Sequence, residues 1–422
     1  MRQRNVVIIG AGVVGTLAAL RLLREGHRVV LVDPEPPGSG ASSGNAGCFS
    51  PSSIVPLSLP GMLTSIPKWL LNPVGPLVFR RSYLFQAAPW LYRFVQAGRM
   101  HKVERHAMAL HSLINGCLPV LLPVLQQIGA QDLVRTNGSL VVYRDEQSWK
   151  ADRLGRELRR RSGIVWDELD RDALLAFQPD LTPNLFSGLF FPGNGHTVDP
   201  QRLVEAVAEA FVRQGGTVLR DRVIGFEFAE DRLRALSTAS GRVPGDTAIV
   251  AAGAFSRPLA RELGHRLPLE TERGYHAMVK DPGIAPSVPV LDATGKFVAT
   301  PMAGGLRLTG TVEFGGLSAA PDWRHARNLL ALGKTLYPSL ANTGRDDMAS
   351  LWMGHRPSLP DSLPVVGWSR RSRDVAFAFG HGHLGMTGAP MTSELVADLV
   401  AGRPASIDIS AFSPERFSGE HW

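Results

Sequence analysis

Residues 5–33 constrain the fold more than any other stretch. Asn5-Val6-Val7-Ile8-Ile9 has the character of a buried strand. It runs into Gly10-Ala11-Gly12-Val13-Val14-Gly15 and then into a helix-period stretch from Thr16 to Glu25. Gly26 closes that helix, and His27 to Val32 reads as a second strand ending in Asp33. A strand, a glycine turn, a helix and a strand carrying an acid about 20 residues on make up the dinucleotide-binding fingerprint. Gly10 permits the tight turn, Gly12 lets a pyrophosphate approach backbone N–H groups, and Gly15 lets helix pack on strand. Val13 and Val14 open the helix, whose positive dipole end would face the phosphates. The Asp33 carboxylate can accept from both ribose hydroxyls and would repel a 2′-phosphate. The competing reading is a glycine-rich turn within an ordinary core.

At 422 residues and 44% hydrophobic the chain can bury a large core, and two structural domains are expected. Lys+Arg 45 against Asp+Glu 38 gives a net charge of +7. That suits anionic substrates or an acidic membrane surface and is too diffuse for nucleic acid. The 2 cysteines, Cys48 and Cys117, exclude a disulfide framework and a structural zinc site, and a reducing cytoplasm follows as the expected compartment. Met1-Arg2-Gln3-Arg4 and the uncharged run to Leu20 imitate a signal peptide, but cleavage would destroy the glycine turn. No other segment runs to the roughly 18 consecutive apolar residues of a spanning helix.

After Asp33 a turn-rich connection leads to Ala41-Ser42-Ser43-Gly44-Asn45-Ala46-Gly47-Cys48. Small residues and amide donors suit a loop lying along a flat cofactor ring; an ordinary Ser/Gly loop is the alternative. From Ile54 to Arg99 the chain is rich in Leu, Trp, Tyr and Phe, broken by prolines, with Lys68, Arg80, Arg81, Arg93 and Arg99 and no acid. This is either a membrane-facing excursion or a buried one packing under the first domain. His101 to Gly129 reads as a helical pair in a second domain, and Gln147 to Ser162 as an exposed basic helix. Asp199 is the expected N-cap of a helix with Pro200 at its first position.

Two later stretches return to the nucleotide. Val223 to Phe228 is a strand, and Thr247 to Ala251 is a strand running into Ala252-Gly253-Ala254, the shape of a second dinucleotide contact. Val375 to Phe379 is a strand leading into Gly380-His381-Gly382-His383-Leu384-Gly385-Met386-Thr387 and a helix. Between them, Glu272 to His276 opens a substrate-side sheet, and Phe297–Met302 pairs with Leu306–Phe314 as a hairpin.

Taken with the glycine turn and Asp33, these strand ends give the chain a resemblance to the FAD-dependent amine and amino-acid oxidoreductases that include D-amino-acid oxidase, glycine oxidase and sarcosine oxidase. Within them it is most similar to the bacterial D-amino-acid dehydrogenases, a group that also contains D-proline and hydroxy-D-proline dehydrogenases. The matches are Ser42 to Gly47, Glu272-Arg273-Gly274-Tyr275-His276 and Arg356-Pro357-Ser358-Leu359-Pro360-Asp361-Ser362-Leu363-Pro364. The resemblance implies an α/β fold: a Rossmann-like FAD-binding domain with a discontinuous α+β substrate domain. The expected division is 1–80, 196–270 and 345–422 for FAD, and 81–195 and 271–344 for substrate, with 54–99 the excursion. In such relatives that excursion is associated with membrane contact and electron delivery to a quinone.

The resemblance further implies FAD contacts at Gly10, Gly12, Val13, Val14, Gly15, Asp33, Ser42, Ser43, Asn45, Ala46, Gly47, Val223, Ala252 and Gly253. A second group at the chain's end comprises Gly382, His383, Leu384, Gly385, Met386 and Thr387. No cysteine lies in the terminal motif, so a non-covalent flavin is expected. The oxidases' carboxylate-binding arginine aligns with Met302; the arginine matching a family site residue is Arg356.

The implied chemistry is oxidative deamination of a D-amino acid, with hydride leaving the α-carbon and the imine hydrolysing to a 2-oxo acid and ammonia. Alternatives in the same class are cis-4-hydroxy-D-proline or D-proline dehydrogenation and a sarcosine or glycine oxidase-like reaction. Arg356 is the expected carboxylate clamp, because a guanidinium grips a carboxylate bidentately. Tyr275 and His276 are expected to face the pocket, the first to bind carboxylate and the second to take a proton. Arg307 and Thr309 are further pocket candidates. No metal is expected, since His381 and His383 lack co-ligands. An NAD(P)-dependent dehydrogenase and a flavin-binding assembly subunit are the rivals from other classes. The expected location is cytoplasmic, with peripheral contact at the inner face of the cytoplasmic membrane.

Overall fold

The computed structural model describes residues 3–61, 77–344 and 346–418, with Arg81 described by its backbone alone. Residues 62–76 of the expected excursion, including Met62, Trp69 and Val74, lie outside these residues.

A six-stranded sheet carries the nucleotide-binding layer. Its order is Thr217–Arg220, Arg28–Asp33, Asn5–Ile9, Thr247–Val250, Val375–Phe379 and Val365–Trp368; the first five strands are parallel and the last is antiparallel. Its central strands are apolar over Val6–Ile9, Ala248–Val250 and Val375–Phe379 because both faces are covered there. On one face the helices Val13–Arg24, Pro200–Arg213 and Gly385–Ala401 pack through Leu17, Ala18, Val207, Ala389 and Val396. A three-stranded antiparallel ribbon, Val223–Ala229, Arg232–Thr238 and Arg242–Pro244, lies against the other through Val223, Leu233 and Leu236. Asp199 caps the helix after it by accepting from the Arg202 N–H at 3.0 Å, and Pro200 takes the first position as expected.

The second sheet runs Met348–Ser358, Glu270–Val279, Gly305–Phe314, Phe297–Met302, Val290–Asp292, Ser139–Tyr143, Ser187–Phe191 and Asp167–Asp170; Leu77–Phe79 pairs with Gly305–Phe314. The hairpin closes with Met302 opposite Gly305. Helix Trp323–Leu336 covers one face through Ala326, Leu329 and Leu330. The other face looks toward the glycine turns.

Three boundaries differ from expectation. Met348–Ser358 and Leu77–Phe79, placed on the nucleotide side, belong to the large sheet, because their backbone partners are Glu270–Val279 and Gly305–Phe314. The helical pair, Met100–Ile114 and Cys117–Ile128, was expected in the substrate domain but packs on the nucleotide layer. Leu110 and Leu113 meet Leu384 and Leu395, while Leu121 and Leu125 join the cluster of Leu17 and Val14. Periodicity shows which face of a helix is apolar, not what it packs against. The run Met100–Ile128 is also long and apolar enough, by length and composition, to cross a membrane, with hydropathy 1.7. These packed faces account for part of that apolarity, since 39% of its apolar window is buried. The basic stretch forms two short helices, Glu146–Ala151 and Arg153–Arg161, joined at Asp152.

Candidate active site

The strands Asn5–Ile9, Thr247–Val250 and Val375–Phe379 are adjacent, with Ile9 beside Val250 and Val250 beside Phe377. Their carboxyl ends therefore deliver Gly10 to Gly15, Ala251 to Gly253 and Gly380 to Gly385 to one place. This is where parallel sheets bind ligands. The glycines are sterically required. Gly10 has φ +108, and a Cβ on it would lie 2.5 Å from the Ala251 carbonyl oxygen; a Cβ on Gly15 would run into the Gly10 carbonyl oxygen.

Two helices aim their N-termini at this place. Helix Val13–Arg24 has no side-chain cap of its own; the Val13 N–H donates to Ser42 Oγ at 3.1 Å. Helix Gly385–Ala401 has no side-chain cap either and follows directly on the turn Gly382–Leu384, so no side chain closes its N-terminus to a ligand. The Thr387 side chain ties the helix to the neighbouring strand, accepting from the Ser50 N–H and donating to the Cys48 carbonyl. Asp33 sits at the turn, one oxygen accepting from Ala11 N–H at 2.7 Å and the other from Glu35 N–H at 2.9 Å. Each oxygen keeps a lone pair for a ribose hydroxyl. Val223 is buried beside Ile9, Val32 and Val250, under the strand that carries Asp33.

The large sheet closes the cleft from the opposite side. Met348–Ser358 packs on both the Gly253–Phe255 and the Gly382–Leu384 turns. Along it, Trp352, Gly354 and Arg356 alternate onto one face, opposite His276, Gly274 and Glu272 of the neighbouring strand. The Arg356 guanidinium lies across Gly274, where any Cβ would collide with it, and Nη1 donates to the Thr311 carbonyl at 3.0 Å. Among the described residues no carboxylate pairs with it. Its cross-strand neighbour Glu272 accepts from Ser358 Oγ at 2.7 Å, and burial raises the Glu272 carboxyl. Burial also lowers the Arg356 guanidinium, against the opposing pull of Glu272. His383 borders the same space. It is open to solvent at the cleft mouth yet walled by protein, and enclosure together with the Arg356 charge holds it at about 4.

Tyr275 and His276 do not share a face, because successive strand residues point oppositely. His276 faces the cleft. Its ring stacks on Trp352 at 5.4 Å, and its Nδ1 donates to the Gly44 carbonyl at 2.8 Å, which leaves Nε2 as the bare nitrogen. Burial and the nearby Arg307 hold it at about 4, so it is a neutral donor and a poor proton acceptor. Tyr275 lies on the far face, where its hydroxyl donates to Glu313. Its expected role at the substrate carboxylate is thereby corrected. Glu313 is also held by Arg273 and Arg80 in a buried cluster.

Arg307 and Thr309 do face the cleft side. Arg307 Nη1 donates to the Ser43 and Asn45 carbonyls at 3.2 and 2.9 Å; its Nε and Thr309 Oγ1 are buried without a partner. Met302 lies against Gly47. Trp352 was missed in the sequence, although its spacing of four from Arg356 on a strand places both on one face. Cys48 sits in the same loop, and burial pushes its thiol up to about 11, so it stays protonated. Among the described residues no cluster of His, Cys, Asp or Glu could hold a metal.

These features fit a flavin dinucleotide: a cradle that a Cβ would fill, a carboxylate at the ribose position, an uncapped helix N-terminus and buried donors without acceptors. The comparisons agree. D-amino-acid oxidase from Bradyrhizobium diazoefficiens is 39% identical over 417 residues, covering 98% of this chain and 99% of the relative. D-amino acid dehydrogenase from Paramagnetospirillum magneticum is 31% identical over 431 residues, covering 99% and 100%. Glycine oxidase from Geobacillus kaustophilus has the same fold, with TM-score 0.77 at 22% identity over 99% of this chain and 100% of that one. The model of the DAO family, FAD dependent oxidoreductase, matches residues 5–399, and the chain belongs to that family.

Proposed function

We propose that this protein oxidises D-amino acids to 2-oxo acids and ammonia. The observation that carries the reading is Arg356, a guanidinium enclosed in the cleft with no carboxylate in ion-pair contact among the described residues, its cross-strand neighbour Glu272 exerting only a longer-range pull. An enclosed cation needs an anion, and an α-carboxylate supplies one in the planar geometry a guanidinium prefers. The D configuration is supported by the relatives named D-amino-acid oxidase and D-amino acid dehydrogenase.

FAD, when bound, supplies the acceptor for the hydride that leaves the substrate α-carbon. Arg356 pins the carboxylate and so fixes the direction of the Cα–H bond. Trp352 and His276 form an aromatic wall beside it. His276 does not serve as the base. An imidazole held at about 4 does not deprotonate an ammonium, so the amine loses its proton to solvent before the hydride leaves. Loss of hydride gives an iminium; water adds, ammonium departs and the 2-oxo acid remains.

Electron delivery to a quinone or another respiratory acceptor belongs to the same reading, as does peripheral contact with the inner face of the cytoplasmic membrane. Support comes from helix Leu84–Ala97, whose Phe85 and Tyr92 are 90% and 62% exposed. The deciding experiment is anaerobic titration of the FAD-loaded protein with D- and L-amino acids, including both prolines and the hydroxyprolines. Bleaching of the flavin by D-amino acids and not by their L-forms is expected; bleaching by neither series defeats the proposal.

A further inference from the structure

Residues 43–46 present four consecutive carbonyls to the large sheet, and each is held by a side chain from it. Arg307 Nη1 donates to the Ser43 and Asn45 carbonyls, His276 Nδ1 to that of Gly44 at 2.8 Å, and Thr300 Oγ1 to that of Ala46 at 2.9 Å. These donors come from three strands, more than 200 residues along the chain from the loop. In a trans peptide unit the N–H points opposite the preceding carbonyl. With the carbonyls turned to the sheet, the N–H groups of Gly44, Asn45 and Ala46 turn away from it, toward the nucleotide layer. None of the three has a hydrogen-bond partner among the described residues, whereas the Gly47 N–H donates to Asn45 Oδ1 at 2.7 Å. Successive free amides facing one way form a concave donor site for an electron-rich edge.

We infer that Arg307, His276 and Thr300 are positioning residues, which orient the Gly44, Asn45 and Ala46 amides as donors to the bound cofactor. Arg307 is central because its planar group bridges two carbonyls at once, which a lysine ammonium does not reproduce. Its task differs from that of Arg356, although both are cleft-side guanidinium groups. The inference rests on FAD occupying this cleft and not on the identity of the substrate.

The test measures the FAD dissociation constant of wild type, Arg307→Lys and Thr300→Val by flavin release, alongside KM for a D-amino acid at saturating FAD. Each variant removes one or two loop bonds. The expected result is FAD binding weakened about tenfold and an altered fine structure of the bound flavin's visible band, with KM changed less than threefold. Unchanged FAD affinity and spectrum with a raised KM in Arg307→Lys overturns the inference and makes Arg307 a substrate ligand. Should Arg307→Lys fail to fold, Thr300→Val decides by the same criteria. A wild type that takes up FAD but is bleached by no D-amino acid defeats the proposed substrate; the dissociation constants and spectra still judge the loop.

Discussion

The Tyr275 hydroxyl donates to Glu313 Oε2 at 2.5 Å and accepts from the Asp322 N–H at 3.1 Å. This joins the middle of a sheet strand to the cap of the helix that covers it, since Asp322 also caps Trp323–Leu336. Burial raises the Tyr275 hydroxyl to about 12, helped by the bond to Glu313. Tyr275→Phe removes one donor from a buried carboxylate that Arg80 and Arg273 still hold. The expected cost is about 1–3 kcal/mol of stability, read by denaturant unfolding, with KM for the amino acid unchanged. A KM raised tenfold at unchanged stability would return this hydroxyl to the pocket.

Arg356 is the opposite case, with its charge at the cleft. Arg356→Met should lower kcat/KM for the amino acid by about 30- to 1,000-fold, the range for breaking a buried, hydrogen-bonded charge pair. FAD content should stay near wild type. Steady-state kinetics with the flavin spectrum as control check this, and a variant with normal kcat/KM would remove Arg356 from the substrate site.

Much of this arrangement is legible in the sequence, for physical reasons. The Gly10, Gly12 and Gly15 spacing carries its own steric logic, and the strands ending at Val250 and Phe379 are apolar enough to be recognised as parallel and buried. The two-residue strand period was also available. It shows that Tyr275 and His276 face opposite ways, but choosing which of them faces the cleft requires knowing that helix Trp323–Leu336 covers the other side. The grip of Arg307 on Ser43 and Asn45 left no trace, because nothing local in either segment encodes a bond across more than 260 residues. The helices around Leu113 and Leu121 showed their apolar faces and not their partners.

Stability should fall in mild acid. His106, His196, His276 and His381 are buried and each is held at about 4, chiefly by burial. In the unfolded chain each titrates near 6.5. Between these values the unfolded state binds more protons, so the histidine contribution to stability drops as pH falls from about 6.5 toward 4 and is constant below. Each imidazole forfeits on the order of 1–3 kcal/mol across that window. Acid unfolding followed by circular dichroism and flavin release should therefore be complete before pH 4. The same values predict no break near 6.5 in kcat/KM from His276. A protein equally stable at pH 7 and pH 4.5 would contradict the burial of these rings.

Helix Leu84–Ala97 buries Ala87, Trp90, Phe94 and Ala97, with Trp90 and Phe94 stacked at 5.0 Å and both packed against Phe314. That spacing uses one face and leaves the other to Phe85 and Tyr92, seven residues apart and so on the same side. Arg93 and Arg99 flank them, and no acid occurs between Ile54 and Arg99. Exposed aromatics beside cations suit an anionic lipid surface. The protein should co-sediment with vesicles containing anionic lipid at low salt and less so at high salt, because the cationic share of the attraction is screened. Phe85→Ser combined with Tyr92→Ser should lower the bound fraction several-fold at low salt while leaving oxidation with a soluble dye acceptor intact. Sedimentation unaffected by the double substitution would assign vesicle binding to another surface, and wild type that stays in the supernatant at low salt would end the membrane reading.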